Sequence, residues 1–277
     1  MSPVVTALVL VSALLHASWN ASIKSSRDVT LDTALVAAGA GFLSLPLTAF
    51  LPLPASASWP YLGASVVIHI GYFTTLAGAY RSGDLGHAYP LMRGTAPLLV
   101  ALFGVVLLDE FPGAMAWLGI VLISAGILGV GLLQPGRAHR GATLWALANA
   151  AIIASYTLVD GAGARLSGSP AGYGAWLFSL HGLPFVALVV AWRKRAALDY
   201  LRGNWRRGLG GGLCVISAYG IVLWAMTQAP VAAVAALRET SVIFAAVIGS
   251  LFLREPFGRR RVIGACAVAL GVIALRL

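Results

Sequence analysis

Seven ionisable side chains interrupt segments that are otherwise almost entirely apolar: His16, His69, Arg93, Asp160, His181, Arg238 and Glu239. An ionisable group at the middle of a bilayer costs about 2.5–3.5 kcal/mol on insertion scales, so it usually faces a polar cavity or a partner. A guanidinium group can bind a carboxylate through two hydrogen bonds, and a glutamate can hold an amine or a proton. Arg93, Arg238 and Glu239 are therefore candidates for binding a charged small molecule. We expect Asp160 to lie at the interface, because it is near the end of its apolar segment.

Arg93 and Arg238 occupy equivalent positions, 145 residues apart, in two similar stretches of the chain. Arg93 lies between Pro90 and Pro97, which remove two backbone donors and can kink a helix toward a cavity. A long arginine stem can also extend to the interface, but the equivalent Arg238 favours the cavity. Glu239 has two possible roles: a buried ion pair with either arginine, or a site for a substrate amine or a proton. One acidic and two basic groups would suit a zwitterion such as an amino acid.

A second group of polar and aromatic residues is expected to line the same cavity. His16, Trp19 and Asn20 fall within about one helical turn, and the four-residue spacing puts His16 and Asn20 on one face. A single helical histidine is more often a packing residue, so the neighbouring tryptophan and asparagine are what favour a cavity. The further candidates are Tyr156, His69 and Tyr89.

The elements that carry these residues follow from the composition of the 277-residue chain. Hydrophobic residues make up 59% of it and charged residues only 10%, with a mean hydropathy of +0.88. A soluble domain carries about a quarter charged residues, so a water-soluble enzyme is excluded. The composition predicts an all-α integral membrane protein, because an open sheet cannot satisfy its edges in lipid. We expect ten transmembrane helices, over residues 3–23, 31–51, 59–80, 87–108, 113–133, 141–160, 171–192, 208–227, 230–253 and 261–277.

The basic residues support this division and predict the orientation. Fifteen of the 19 lysines and arginines fall in the loops after predicted helices 1, 3, 5, 7 and 9, whereas Arg165 and Arg276 are on the other side. By the positive-inside rule the fifteen-charge side is cytoplasmic, so both termini are predicted to face outward. The long basic stretch after predicted helix 7 could form a short interfacial helix. The net charge of +10 therefore belongs mainly to loops, and we expect no nucleic-acid partner.

The chain repeats itself at a constant offset of 145 residues, which aligns TAPLLVALFGVVLLDEFPG (95–113) with TSVIFAAVIGSLFLREPFG (240–258). We divide it into a first five-helix repeat, residues 1–133, and a second, residues 134–277. Five is an odd number, so the second repeat must be inverted in the membrane relative to the first. The matched pairs include Glu110 with Glu255, Gly119 with Gly264 and Gly126 with Gly271. We expect these glycines to pack helices, within the chain or at a dimer face, and Glu110 to act in capping or loop structure.

In both repeats an apolar helix ends in a glutamate and is followed by a glycine-containing helix, LGIVLISAGI or IGACAVALGV. These paired segments resemble the two EamA-type repeats of the drug/metabolite transporter superfamily, and the resemblance covers nearly the whole chain. It implies a ten-helix inverted fold that moves small metabolites by alternating access. The first helix departs from the commonest pattern, with His16 and Asn20 around Trp19. It also lacks the glutamate that the small four-helix multidrug relatives use for protons.

We therefore expect an inner-membrane secondary transporter for a small polar metabolite, such as an amino acid or a related amphoteric or anionic compound. Export is the direction that the resemblance implies. The alternative substrate is an organic cation or quaternary amine bound by aromatic faces and Glu239. A more distant alternative is a membrane protein that does not transport.

The remaining expectations concern chemistry and partners. An intramembrane enzyme is not supported, because the sequence contains no HExxH, GxGD or cysteine–histidine motif. We expect no cofactor and no metal, and we expect Cys214 and Cys266 to be buried structural thiols. The expected partners are a small-molecule substrate, the lipid bilayer and a possible second copy in a homodimer.

Overall fold

The computed structural model describes residues 1–24, 28–82, 85–132, 140–253 and 258–277. Within these ranges the chain forms α-helices and one 3-10 helix, Ser56–Ser58, and no β-strand. The α-helices are α1 Pro3–Lys24, α2 Val29–Phe50, α3 Trp59–Ser82, α4 Leu85–Leu107, α5 Ala114–Leu132, α6 Arg140–Leu166, α7 Pro170–Arg193, α8 Arg195–Gln228, α9 Val231–Arg238, α10 Ser241–Leu253 and α11 Arg259–Ala274. The all-α architecture expected from the composition is confirmed.

Several of these helices have the length and composition of membrane spans. Seven segments of the described chain are long and apolar enough to cross a bilayer: Pro3–Asn20, Thr30–Phe50, His87–Leu107, Arg140–Leu166, Pro170–Arg193, Arg195–Gln228 and Val231–Ile248. Ala114–Val130 in α5 is a shorter apolar helix. The chain is therefore a multi-pass membrane protein.

α8 joins two helical segments of different character. The backbone leaves helical geometry at Asn204, with φ −120° and ψ 16°, which bends the helix at that point. The part before the bend carries exposed basic residues such as Arg195 and Arg202, and Arg206 and Arg207 follow just after it, whereas the helix contains no charged residue from Gly208 onward. A separate short helix after the seventh predicted span is thus present, and its place at the membrane interface stays a prediction.

α9 lies at the centre of the largest hydrophobic core. All of its eight residues, Val231–Arg238, are buried. It packs against α1, α4, α5, α6 and α8, and side chains such as Ile123, Val222 and Met226 belong to the same cluster. Because other helices surround α9, its carboxyl-terminal end and the arginine there lie inside the protein rather than against lipid.

The repeated glycines bring α5 and α11 into backbone contact. Gly119 faces Gly271, and Gly126 faces Gly264. A Cβ atom placed on any of the four would lie 2.7–2.8 Å from the backbone carbonyl oxygen of its partner, closer than real Cβ contacts. The expectation that these glycines pack helices is confirmed, and the contact is within one chain. The possible homodimer stays a prediction that these glycines do not support.

Two expectations about single residues are wrong. Asp160 is fully buried rather than interfacial, because α6 continues beyond it to Leu166. Cys214 is half-buried and Cys266 is exposed on the protein surface, so neither is a fully buried thiol. The apolar helix α6 continues past Asp160 to Leu166, so this residue lies in the interior and not at the helix end. Cys266 lies on the outward face of α11, where lipid rather than protein would cover it.

Candidate substrate-binding site

The site is built around an interruption between α9 and α10. α9 ends at Arg238, and Glu239 and Thr240 form a turn before α10 begins at Ser241. The Glu239 N–H donates to the carbonyl of Ala236 over 3.1 Å instead of continuing the α-helical pattern. Membrane transporters use interrupted helices of this kind to place polar groups and free backbone inside the bilayer. No Gly or Pro marks the position in the sequence LRETS, so the break was not predicted.

Glu239 forms ion pairs with both arginines. Its Oε2 atom is 2.7 Å from Arg93 Nε, and its Oε1 atom is 3.6 Å from a terminal nitrogen of Arg238. The three side chains are 1% (Glu239), 7% (Arg93) and 5% (Arg238) exposed. Of the two roles expected for Glu239, the buried ion pair is therefore present, and it involves both arginines rather than one. The cluster carries a formal net charge of +1, because one carboxylate faces two guanidinium groups.

α1 closes one side of this cluster. A terminal nitrogen of Arg93 donates toward Nε2 of His16 at 3.3 Å and toward the hydroxyl of Ser241 at 3.4 Å. The His16 ring also contacts Trp19 edge-on, with 5.3 Å between the ring centroids. Among the described residues the buried indole N–H of Trp19 has no hydrogen-bond partner. Such an orphan donor beside a charged cluster suits an added acceptor.

Asn20 plays a more local part than expected. Its side-chain amide donates to the backbone carbonyl of His16 over 2.7 Å, so this donor is used within α1. Ser241, which sequence reasoning passed over, contacts Arg93 instead. The signal for it was a short polar run, Glu239 to Ser241, within an apolar window.

Aromatic rings form the other side of the cluster. The guanidinium carbon of Arg238 lies 6.0 Å from the centre of the Tyr156 ring, at the limit of a cation–π contact. His69 stacks on Tyr156 with 4.6 Å between ring centroids. Tyr89 precedes Arg93 by one turn on α4 and so lies on the same helix face. The structure therefore brings Arg93, Arg238, Glu239, His16, Trp19, Tyr156, His69 and Tyr89 into one region.

A second buried carboxylate adjoins this region. Asp160 accepts hydrogen bonds from the hydroxyls of Tyr173, at 3.0 Å, and Tyr219, at 2.5 Å. His181 lies between it and the site, with its ring 5.2 Å from that of His69. Sequence reasoning named Asp160 and His181 as ionisable candidates but did not find this arrangement, because it joins three helices.

Polar contacts also hold the entry to α9. Both carboxyl oxygens of Glu110 accept the Val231 N–H, at 2.8 and 3.1 Å, at the amino end of α9. Glu110 also forms an ion pair with Arg165, whose guanidinium donates to the carbonyls of Met226 and Ala229. The expectation that Glu110 acts in capping is confirmed, and the helix that it caps belongs to the other half of the chain.

The family follows from the carboxyl-terminal half of the chain. Residues 140–277, which include α6 to α11, match the EamA-like transporter family. The chain belongs to the EamA-like transporter family. This confirms the resemblance suggested by the repeats and makes the protein a membrane transporter of the drug/metabolite transporter superfamily.

The fold of this EamA-like transporter is shared by a solved structure. A crystal structure described only as that of a protein superposes with a TM-score of 0.78, covering 100% of this chain and 99% of the other. The two sequences are 18% identical, so the likeness shows the fold alone. No curated protein matches the chain.

Membership of the EamA-like family also bears on partners. A transporter of this family handles a small-molecule substrate while surrounded by lipid, and the family is generally one of carriers rather than enzymes. Within the described part of the chain, no group of three or more histidine, cysteine, aspartate or glutamate side chains could hold a metal ion.

Proposed function

We propose that this protein is a secondary transporter, working as an exporter across the inner membrane, for a small metabolite that carries a carboxylate. The class includes amino acids and related amphoteric or anionic compounds. The observation that carries the proposal is the buried cluster of Arg93, Arg238 and Glu239, with its net positive charge. A carboxylate that enters this cluster neutralises the surplus charge and can bind a guanidinium group through two hydrogen bonds.

The same cluster argues against the alternative of an organic cation. A cation bound through Glu239 would need that carboxylate to be free, and both of its oxygens already face guanidinium groups. The aromatic rings of Trp19 and Tyr156 could contact an amine, but the charge beside them is positive. The structure therefore favours an anionic or zwitterionic substrate.

The finer architecture that we propose is ten transmembrane helices in two inverted repeats, with α9 and α10 together forming the ninth. The glycine contacts support this. Gly119 is equivalent to Gly264 and Gly126 to Gly271 in the repeats, and each glycine faces the equivalent of the other. Reciprocal contacts of this kind are expected at a two-fold axis. Rocking of the two halves about that axis would give alternating access to the site.

A transport assay in proteoliposomes tests the substrate site. The variants are Arg93→Gln and Arg238→Gln, and the control is Arg81→Gln, which removes an exposed arginine of α3. Loss of one charged hydrogen bond costs about 1.5–3 kcal/mol, so each variant should bind a transported amino acid or organic acid about ten- to a hundred-fold more weakly. Normal transport by both well-folded variants would refute the anion site.

A further inference from the structure

Among the acidic side chains that the structure describes, Asp160 is the most deeply buried one that the substrate-site geometry leaves unused. It has no exposed surface and lies on α6 within an apolar membrane-spanning segment. Its two oxygens each accept a hydrogen bond from a tyrosine, Oδ1 from Tyr173 and Oδ2 from Tyr219. The Ser65 hydroxyl is also close to this carboxyl group. The three donors come from α7, α8 and α3, so the carboxyl group sits where four helices meet.

No basic side chain compensates this carboxylate directly. Among the residues that the structure describes, no lysine, arginine or histidine nitrogen lies within 4.0 Å of an Asp160 oxygen. Glu110, Asp28, Asp32 and Glu239 each have such a partner. A lone ionised carboxylate in a low-dielectric interior is costly, whereas the neutral acid keeps the same hydrogen-bonding neighbours. The surroundings of Asp160 therefore favour a carboxyl group that changes between its charged and its neutral form.

The hydrogen-bond donors around Asp160 suit a proton better than a metal cation. Tyr173 and Tyr219 direct their hydroxyl hydrogens at the carboxylate. A sodium ion would need oxygen lone pairs at the same places, so both hydroxyls would have to turn away. A proton needs only one hydroxyl to turn, because the protonated carboxyl group then donates to that oxygen. No bond other than the O–H bonds changes.

Asp160 is connected to the arginine cluster by a series of rings. His181 lies near Asp160, His69 contacts His181, and Tyr156 stacks on His69 beneath Arg238. Neighbouring helices also present titratable and charged side chains to this region. These are His69 and Tyr72 of α3, Tyr89 and Arg93 of α4, Tyr173 and His181 of α7, Tyr219 of α8 and Arg238 of α9. The described buried groups Arg93, Arg238, Glu239 and ionised Asp160 have formal charges that cancel.

We infer that Asp160 is a proton-binding residue of the transporter and that a proton on it accompanies the substrate carboxylate. This inference rests on the proposed function. When Asp160 is ionised, a bound monoanion leaves the interior with one uncompensated negative charge, and a proton on Asp160 removes it. Anion binding must then favour proton binding, and the reverse by the same factor. Net export requires an outward substrate gradient larger than the inward proton gradient.

The first experiment uses the proton itself as the probe. Infrared difference spectroscopy of the purified protein during an acid titration should show the carbonyl stretch of a protonated, buried carboxyl group. The band should shift when aspartate is labelled with ¹³C and should be absent in Asp160→Asn. The control, Asp199→Asn, removes an exposed acid and should keep the band. The isotope shift assigns the band in the native protein, so a poorly folding variant does not decide the result.

The second experiment separates this inference from the proposed function. Alanine, glutamate and benzoate are added to weakly buffered wild-type protein, and proton uptake and thermal stabilisation are recorded. Binding with proton uptake that is lost in Asp160→Asn supports the inference. Binding of glutamate or benzoate, which each carry a net charge of −1, without proton uptake overturns it. Uptake that is lost in His69→Gln or His181→Gln but retained in Asp160→Asn also overturns it. Absence of binding by all three compounds contradicts the proposed function, while the infrared result still decides whether Asp160 binds a proton.

In proteoliposomes, Asp160→Asn should also separate substrate exchange from proton-driven accumulation of the substrate. Asp160→Asn should still exchange labelled for unlabelled substrate at equal pH, because exchange needs no net proton movement. It should lose the accumulation that an acidic exterior drives in the wild type. Accumulation that persists in the variant, or that follows a sodium gradient instead, would overturn the inference.

Discussion

At the residue scale, the candidate site depends on two arginines that must be stable in an apolar interior. Each would be costly alone, and Glu239 lowers that cost by pairing with both. His16 and Ser241 accept further hydrogen bonds from Arg93. The cluster therefore has a structural role in the empty protein and keeps one positive charge for a substrate.

Replacing Glu239 with glutamine should destabilise the protein, because it leaves two neighbouring buried guanidinium groups without a carboxylate. Removing one partner of a buried ion pair typically costs about 3–5 kcal/mol. The measurement is the free energy of unfolding in mixed detergent micelles, with the exposed Asp199→Asn as control. Equal stability of Glu239→Gln and the control would mean that the ion pairs seen here contribute little.

At the element scale, the site depends on helix ends and on close helix crossings. α9 is only eight residues long, and a polar contact from elsewhere in the chain holds its amino end. Glu110 caps its amino end, and the turn at Glu239 ends it. The glycine crossing joins α5, which packs against α9, to α11, and its four glycines are the ones that the 145-residue sequence offset pairs.

Glu110→Ala should weaken the amino end of α9. The change leaves the Val231 N–H without its acceptor and Arg165 without its carboxylate. Loss of a helix cap costs about 0.5–2 kcal/mol. The control is Asp109→Asn at the neighbouring position, where asparagine tolerates the positive φ of 52°. Thermal unfolding followed by tryptophan fluorescence measures both, and an unchanged midpoint for Glu110→Ala would contradict the cap.

Gly126→Ala should separate α5 from α11, because its Cβ atom would lie 2.7 Å from the Gly264 carbonyl oxygen. Overpacking of this kind costs about 1–3 kcal/mol. Gly129 provides a matched control on the same helix, since a Cβ atom there meets nothing within 4 Å. Gly129→Ala should leave stability unchanged or raise it slightly, and similar losses in the two variants would count against the crossing.

At the scale of the whole molecule, the charges outside the site predict its orientation. A fusion of alkaline phosphatase after Leu277 should be active, and a fusion of green fluorescent protein there should be dark, because the carboxyl terminus is predicted to face outward. Fusions at Lys194, at the basic end of α7, should give the reverse pattern. A fluorescent protein that lights up at Leu277 would invalidate the predicted topology.

Much of this fold could be predicted from the sequence, because the length of each apolar segment and the spacing of repeated residues are visible along the chain without knowledge of the contacts between helices. The apolar windows, the glycine pairs and the buried Arg93 and Arg238 all follow from composition and spacing. The break at Glu239 could not be predicted, since no glycine or proline marks it. The contacts of Asp160 with Tyr173 and Tyr219 depend on how α6, α7 and α8 are rotated against one another, which spacing along one helix does not determine.

An anion site at the arginine cluster is tested most directly by a thermal-shift comparison of small carboxylates with matched amines that lack a carboxylate. A bound carboxylate should stabilise the wild type by about 2.7 kcal/mol at about 100 times its Kd, and Arg238→Gln should lose most of this stabilisation. Stabilisation by quaternary amines and not by carboxylates, or equal stabilisation of the wild type and Arg238→Gln by a carboxylate, would contradict an anion site at the arginine cluster.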